Sequence, residues 1–271
     1  MSVFSGLTDH PGSSFKSLVS WVFFVKVCRI PFPISLQMDI IPNSMPIADN
    51  LRTLRDKLNA FANQYARDIS SIRVMAVSKT RSASEIVEAR EAGITDFGEN
   101  RVEEASAKFA SLDAAVYPLY FIGHLQSNKA SRIDTRYQGV YSVDSVRIAT
   151  RLSRYRATIG KALDVLLQVN TSGERSKSGF VDPVYFLEAA EEIAEMPFLI
   201  LRGVMTMAPF VDDEKMVRKC FSSCRSWYDN IAGCIAGEPI LSMGMSSDYR
   251  WAVAEGSNHL RLGTAIFGDR Q

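Results

Sequence analysis

One lysine stands where an amine could do covalent chemistry. Lys79 closely follows residues 72–77, a β-branched, apolar run that is typical of a buried strand. Burial of the strand end and nearby cations would favour the neutral amine, which is a nucleophile for carbonyl groups. A lysine at a strand end can also extend its charged head into solvent, and position alone favours that interpretation. The neighbouring segments must decide between the two.

Small and hydroxylated residues follow two apolar runs near the C-terminus. Gly244 and Ser246 follow the first of these runs, and Gly263 and Thr264 follow the second. Small residues let backbone N–H groups approach phosphate oxygens, and a helix beginning near Ser247 would point its positive end at an anion. Each segment alone could be an ordinary turn. Together they could bind a phosphate without a strongly basic chain.

Eight apolar runs, separated by helical segments, must position these residues. An amphipathic helix that starts near Pro46 precedes them. This size and rhythm predict an α/β fold, a single-domain (β/α)8 TIM barrel with an extra N-terminal helix. An open, doubly wound sheet is the alternative, but no G-x-G-x-x-G follows the first strand, where a dinucleotide fold needs it. The predicted strands are 72–77, 95–97, 116–122, 140–143, 163–169, 199–205, 240–243 and 260–262.

In a TIM barrel the reactive groups come from the C-terminal ends of the strands. Lys79 would lie at the end of the first strand, and the Gly- and Ser-containing segments at the ends of the seventh and eighth. The first and eighth strands are neighbours when the barrel closes. The sequence therefore predicts a site for a phosphorylated aldehyde.

Composition excludes several classes of protein. Apolar residues make up 46% and charged residues 23% of the 271 positions, so the chain is neither disordered nor collagen-like. Four cysteines are too few for a disulfide scaffold, which fits a reducing, cytoplasmic location. The cysteines and histidines show no zinc-ligand spacing, so no metal is predicted. A net charge of +1 provides no field for nucleic acid or an anionic membrane.

The first 45 residues read as a leader. Their uncharged apolar run, residues 17–25, is too short for a hydrocarbon core that needs about 20 residues. Lys16 before this run mimics a signal peptide, but no small-residue cleavage site follows, and an organelle presequence is the alternative. We predict that residues 1–45 are disordered or precede the true start at Met38 or Met45. The barrel is assigned to residues 46–271.

Several long motifs support a resemblance to a known family. The motifs are AVSK (76–79), FGEN (97–100), FIGHLQSNK (121–129), VN (169–170) with KSG (177–179), LSMGMSSD (241–248) and RLGTAIFG (261–268). With these motifs in this order, the chain resembles the pyridoxal 5′-phosphate homeostasis proteins, which are single-domain relatives of the alanine-racemase-type barrel. Strings of this length in one order do not arise by chance.

The resemblance implies a cofactor and its binding residues. The fold would be the fold-type III barrel of enzymes that use pyridoxal 5′-phosphate (PLP), with PLP held as a Schiff base, the internal aldimine, on Lys79. At residues 256–260 the chain departs from the family pattern, and we interpret His259 as a strand residue rather than an acid or base. The implied cofactor-binding residues are Lys79 at the aldehyde, Ser246, Gly263 and Thr264 around the phosphate, Arg261 near the pyridine nitrogen, and Asn100 and His124 in the mouth.

The expected chemistry favours cofactor binding over catalysis. A guanidinium has a pKa above about 12, so Arg261 would donate a hydrogen bond to the pyridine nitrogen without giving up its proton. An unprotonated ring is a poor electron sink. Racemases that resemble this barrel take a second base from an additional β domain, whereas this chain ends at Gln271, so no catalytic residue is predicted.

The predicted function is therefore a PLP-binding protein that acts in intracellular PLP, or vitamin B6, homeostasis. One alternative is a slow PLP-dependent amino-acid racemase or lyase that uses a tyrosine or His124 as its other base. A second alternative is an aldolase in which Lys79 reacts with a substrate and no cofactor binds. The expected partners are PLP and PLP-dependent apo-enzymes, with no nucleic acid and no membrane, and the protein is expected to be a monomer.

Overall fold

Eight parallel strands close into a barrel. The structure is a computed structural model that describes residues 46–174 and 177–269. The strands follow one another around the barrel in chain order, and the last pairs with the first. They are β1 (Arg73–Val77), β2 (Asp96–Glu99), β3 (Leu119–Phe121), β4 (Tyr137–Val143), β5 (Leu163–Gln168), β6 (Leu199–Met205), β7 (Ile240–Ser242) and β8 (His259–Leu262). The predicted TIM barrel is confirmed, and the open-sheet alternative is wrong.

Helices surround the strands. They are α1 (Ile47–Gln64), α2 (Ala83–Glu91), α3 (Val102–Lys108), α4 (Val146–Ile159), α5 (Pro183–Ala194), α6 (Glu214–Asn230), α7 (Tyr249–Ala254) and α8 (Thr264–Phe267). The predicted extra helix, α1, precedes the first strand and packs against α7 and α8. The connection between β3 and β4 is the 3-10 helix Ser127–Arg132. The helical layer therefore covers the strands, as a parallel barrel requires.

Apolar side chains fill the inside of the barrel. Its inner cluster contains Met75, Tyr141, Leu166, Met205 and Ile240, all of them buried. A larger cluster lies between the strands and the helices. Burial of one such side chain contributes about 1.5–3 kcal/mol. Because the interior is packed, a ligand must bind at an end of the barrel.

The described residues can be examined for membrane-spanning helices and for metal-binding groups. Within residues 46–174 and 177–269, no helix combines the length and apolar character needed to cross a bilayer. The same residues contain no group of three or more His, Cys, Asp or Glu side chains placed to hold a metal ion. The predicted leader, residues 1–45, lies outside the described residues.

Candidate functional site

A cavity of about 640 Å³ opens at the C-terminal ends of β1, β7 and β8. This volume lies within the range of sites for small molecules and cofactors. Five of the seven predicted site residues line it. They are Lys79, Ser246, Arg261, Gly263 and Thr264. The closed barrel therefore gathers residues that are far apart in the sequence onto one wall.

Lys79 lies just beyond the end of β1 and is partly buried. The residue before it, Ser78, is fully buried. The residue after it, Thr80, has a φ of 64°. A positive φ is unfavourable for a β-branched residue and costs about 1–3 kcal/mol. The chain turns sharply at this point, which leaves the lysine side chain on the cavity wall.

Ser246 links the two segments that were predicted to bind a phosphate. Its hydroxyl oxygen accepts hydrogen bonds from the backbone N–H groups of Gly263 and Ala265, each at 3.2 Å. These N–H groups lie at the beginning of α8 and converge on one point. An oxygen atom already occupies the position where an anion would accept the same bonds.

Gly244 makes the turn after β7 possible. Its φ is +97°, and a Cβ atom here would lie 2.7 Å from the Cβ of Ala252. The backbone N–H of Arg261 donates to the Gly244 carbonyl at 3.0 Å, which ties β8 to this turn. The helix that was expected to begin near Ser247 begins at Tyr249. Both serines of the SS pair consequently stand in the loop that borders the cavity.

Arg261 is a fixed cation at the base of the cavity. Its Nη1 donates to the Ser242 carbonyl at 2.9 Å and to the Ser242 hydroxyl at 2.6 Å. Its Nη2 donates to the Thr206 carbonyl at 2.8 Å. Burial lowers the pKa of the guanidinium to about 10, so the group stays protonated at neutral pH. Arg261 can therefore donate hydrogen bonds in one orientation, but it is not an acid that releases its proton there.

His259 lies beneath Arg261, inside the barrel. Side chains of one strand alternate between its two faces, so residues 259 and 261 share the inner face. The His259 Nδ1 is 3.2 Å from the Tyr141 hydroxyl, and its buried Nε2 has no hydrogen-bond partner among the described residues. Burial, followed by the charges of Arg261 and Arg73, lowers the pKa of His259 to about 3. The ring is neutral at physiological pH, and His259 is a strand residue, as predicted.

Asn100 and His124 do not line this cavity. His124 is 58% exposed, and its Nδ1 lies 3.3 Å from an Asp144 carboxylate oxygen and 2.9 Å from the Ser178 hydroxyl. It faces a separate polar groove of about 260 Å³. Asn100 is partly buried after β2, and its side-chain oxygen lacks a hydrogen-bond partner within the described part of the chain. The structure thus separates these two predicted residues from the other five.

Arg81 and Phe210 line the cavity but are not among the predicted site residues. Arg81 donates to the Gly268 carbonyl at 2.6 Å and pairs with Glu85 at 3.2 Å. Its place two residues after Lys79 is a signal that sequence reasoning could have used. Phe210 is 90% exposed in the loop after β6, and its residue type gave no indication of a binding role.

Comparisons with known proteins agree with this geometry. A family model described as the N-terminal domain of alanine racemase matches residues 48–271. The pyridoxal phosphate homeostasis protein of Escherichia coli K12 is 42% identical over 231 residues, covering 83% of this chain and 97% of the relative. Its counterpart from Pseudomonas aeruginosa is 39% identical over 224 residues, covering 83% and 96%.

Solved structures support the same assignment. The structure of PipY from Synechococcus elongatus with PLP bound is 33% identical at a TM-score of 0.70, and the match covers 82% of this chain and 100% of that one. Alanine racemase from Corynebacterium glutamicum, at 17% identity and a TM-score of 0.63, shares the fold over 83% of this chain and 60% of that one. The predicted resemblance is confirmed. The chain belongs to the alanine racemase N-terminal domain family and, within it, to the pyridoxal phosphate homeostasis proteins.

Proposed function

We propose that this protein binds PLP reversibly at the barrel mouth and acts in the homeostasis of this vitamin B6 cofactor. The observation that carries the proposal is the single cavity wall that holds Lys79, Arg261 and the backbone donors around Ser246. The relatives named for PLP homeostasis and the PLP-bound PipY structure support it. When bound, PLP supplies an aldehyde that reacts with amines and a ring that can delocalise electrons.

The residues of the cavity fit this cofactor. Lys79 offers an amine for the aldehyde. The backbone N–H groups of Gly263 and Ala265 donate to the Ser246 hydroxyl oxygen, and they can also donate to phosphate oxygens. The phosphate can therefore be held by local donors, although the chain as a whole carries a net charge of only +1.

Arg261 restrains the chemistry of the site. Three hydrogen bonds to Ser242 and Thr206 keep its guanidinium in place. It can donate a hydrogen bond to a pyridine nitrogen, but it keeps its own proton, because its pKa of about 10 is well above neutral pH. A ring that is not protonated withdraws electrons weakly. Arg261 therefore favours storage of the cofactor over carbanion chemistry.

Racemisation needs a second acid or base on the opposite face of the substrate carbon, and the described residues of the cavity wall offer Lys79 no such partner. Among the described lining residues, the ionisable groups are Lys79, Arg81 and Arg261. His124 faces the other groove, and His259 is buried below. These placements favour a binding protein over the racemase alternative.

The finer parts of the proposal concern the setting of the protein. We propose that it supplies PLP to apo-enzymes that depend on it, that it works in the cytoplasm, and that it is a monomer. The cavity opens at the barrel surface, so a bound cofactor can be released without unfolding the core. Metal and nucleic acid have no part in the proposed function.

An absorption spectrum of the purified full chain tests PLP binding. Addition of PLP should give a visible band that borohydride removes, and peptide mapping should place the reduced cofactor on Lys79. Lys79→Ala should abolish the band, whereas Lys129→Ala, which changes a surface lysine paired with Glu103, should keep it. Label on another lysine in the wild type would contradict the proposed site. Exchange of an amino acid's α-hydrogen would instead support the racemase.

A further inference from the structure

Three charged residues form a cluster behind Lys79, and we call Glu99, Glu104 and Lys108 the clamp. Lys108, in the last turn of α3, is only 8% exposed. Its Nζ donates to Glu99 Oε1 at 2.7 Å, to Glu104 Oε1 at 3.0 Å and to the Ser78 carbonyl at 2.6 Å. An ammonium group has three N–H donors. All three therefore have an acceptor, two of them in the clamp and one on the Ser78 backbone.

The clamp holds the chain on both sides of Lys79. On one side the Ser78 carbonyl accepts from Lys108, and the Ser78 hydroxyl donates to Glu99 Oε1 at 2.7 Å. On the other side the Thr80 N–H donates to Glu104 Oε1 at 2.5 Å. Thr80 is the residue with the unfavourable φ of 64°. The hydrogen bonds fix the two residues that decide where the Lys79 side chain leaves the backbone.

Attachment of α3 to the barrel does not require these charges. Val102 and Ala105 already bury the apolar face of this helix. Burial of an ion pair often contributes little to stability, because the charged groups lose their hydration, and apolar residues of similar volume can serve as well. The Glu99 side chain is fully buried, with Oε2 lacking a hydrogen-bond partner among the described residues. A buried ion pair that contributes little to stability can still fix the positions of the backbone groups that it contacts.

We propose that the clamp is a positioning device for Lys79. It holds the strained turn at Thr80, keeps the amine directed into the cavity and so sets how readily this amine condenses with an aldehyde. The clamp residues are positioning residues, since the cavity lining does not include them. This inference rests on the proposed PLP function.

Two ligands separate positioning of the amine from binding of the rest of the cofactor. PLP carries the aldehyde, whereas 4-deoxypyridoxine 5′-phosphate carries a methyl group in its place and cannot condense with an amine. Loss of positioning should weaken binding of PLP only. A general loss of structure should weaken binding of both compounds.

Glu104 provides the decisive variants, because its side chain is 27% exposed and its removal should leave the fold intact. Glu104→Ala removes the acceptor for the Thr80 N–H, and we expect PLP to bind about tenfold more weakly, the equivalent of about 1.4 kcal/mol. Binding of the deoxy analogue should change less than about twofold. Glu104→Gln keeps a carbonyl acceptor and should restore most of the PLP affinity.

Glu103→Ala changes the neighbouring glutamate, which pairs with Lys129 and Arg132 at the surface, and should leave both affinities unchanged. Equal losses for PLP and the deoxy analogue in Glu104→Ala, or no loss for either, would overturn the clamp. A wild-type chain that binds neither compound would overturn the proposed function itself.

Hydrogen exchange gives a second readout that does not need the cofactor. In the wild type, the Thr80 N–H should exchange slowly because it donates to Glu104. Glu104→Ala should speed this exchange, while Glu103→Ala should not. Lys108→Met leaves the acceptor for the Thr80 N–H in place but removes the bond to the Ser78 carbonyl, so it too should weaken PLP binding. Unprotected Thr80 exchange in the wild type would contradict the clamp.

Discussion

The rim of the barrel is built differently on its two sides. On the cradle side, where β7, β8 and β1 end, Arg261 is held by carbonyl groups and Ser246 by two backbone N–H groups. On the open side, where β3, β4 and β5 end, His124 is 58% exposed between Asp144 and Ser178. Arg261 and Ser246 are thus fixed to the backbone, whereas His124 is close to solvent.

This difference shows which side chains of the barrel rim are held rigidly. A group that must meet one atom of a ligand needs a fixed position, and buried hydrogen bonds provide it. A group near solvent can move without loss of the fold. We therefore expect substitutions on the cradle side to affect stability and binding, and matched substitutions on the open side to affect neither.

The largest expected effect on stability is that of Arg261→Met. The variant leaves the buried Ser242 and Thr206 carbonyls without their charged donor, so the free energy of unfolding should fall by about 3 kcal/mol. Chemical denaturation measures this difference. The matched variant on the open side, Arg147→Met, changes an exposed arginine of the polar groove and should stay within about 0.5 kcal/mol of the wild type. Equal losses in the two variants would remove the contrast between the sides.

The buried imidazole of His259 should make the stability of the fold depend on pH. The pKa of His259 is about 3 in the fold, below its ordinary value, so the unfolded chain binds a proton that the folded chain does not. Stability from this group is complete above about pH 6.5 and is lost as pH falls toward about 3. Between pH 7.5 and pH 5 the wild type should lose about 2 kcal/mol more than His259→Leu.

Denaturation curves at both pH values measure this loss, and Arg147→Met is the control. Because Arg147 is exposed, its variant should follow the wild type across the whole range. A wild-type curve parallel to that of His259→Leu would show that the buried imidazole does not resist protonation.

Ser246→Ala should have a smaller effect, confined to the phosphate end of the ligand. The hydroxyl lies where the N–H groups of Gly263 and Ala265 converge. Its loss removes one hydrogen-bonding group for an anion, and PLP should bind about fivefold more weakly. Titration with pyridoxal, which lacks the phosphate, is the control and should give the wild-type affinity. A weaker pyridoxal complex would place Ser246 elsewhere in the site.

The smallest expected effect is that of His124→Asn on binding. His124 faces the polar groove and not the cavity that contains Lys79, so the affinity for PLP should change less than about twofold. Equilibrium titration followed by absorbance measures it. A tenfold loss would join the two sides of the rim into one site and would revive His124 as a base for the racemase alternative.

The residues of the cradle side can be predicted from the sequence because the patterns that indicate them are local. Strand ends follow directly from apolar runs, and a TIM barrel brings all of its strand C-termini to one face. Lys79, Gly263 and Thr264 each stand within two residues of such an end. Their position in the cavity therefore needs no knowledge of loop conformation.

The orientation of a side chain cannot be predicted in this way where the conformation of a loop determines it. His124 belongs to a motif that follows β3, but the path into the 3-10 helix directs it toward Asp144. Glu104 and Lys108 are spaced for one face of a helix. That spacing does not reveal which backbone groups they meet, because the angle between α3 and β1 depends on packing of the whole barrel.

Closure of the barrel between β1 and β8 has a consequence for the order of events in the cell. The lysine is synthesised early, whereas the arginine and the glycine-containing turn leave the ribosome only after six intervening strands have been made. A nascent chain that lacks β8 has Lys79 but not the residues that are proposed to bind the phosphate of a vitamer. A vitamer that needs both parts of the cavity can therefore bind only after β8 has been made and has paired with β1.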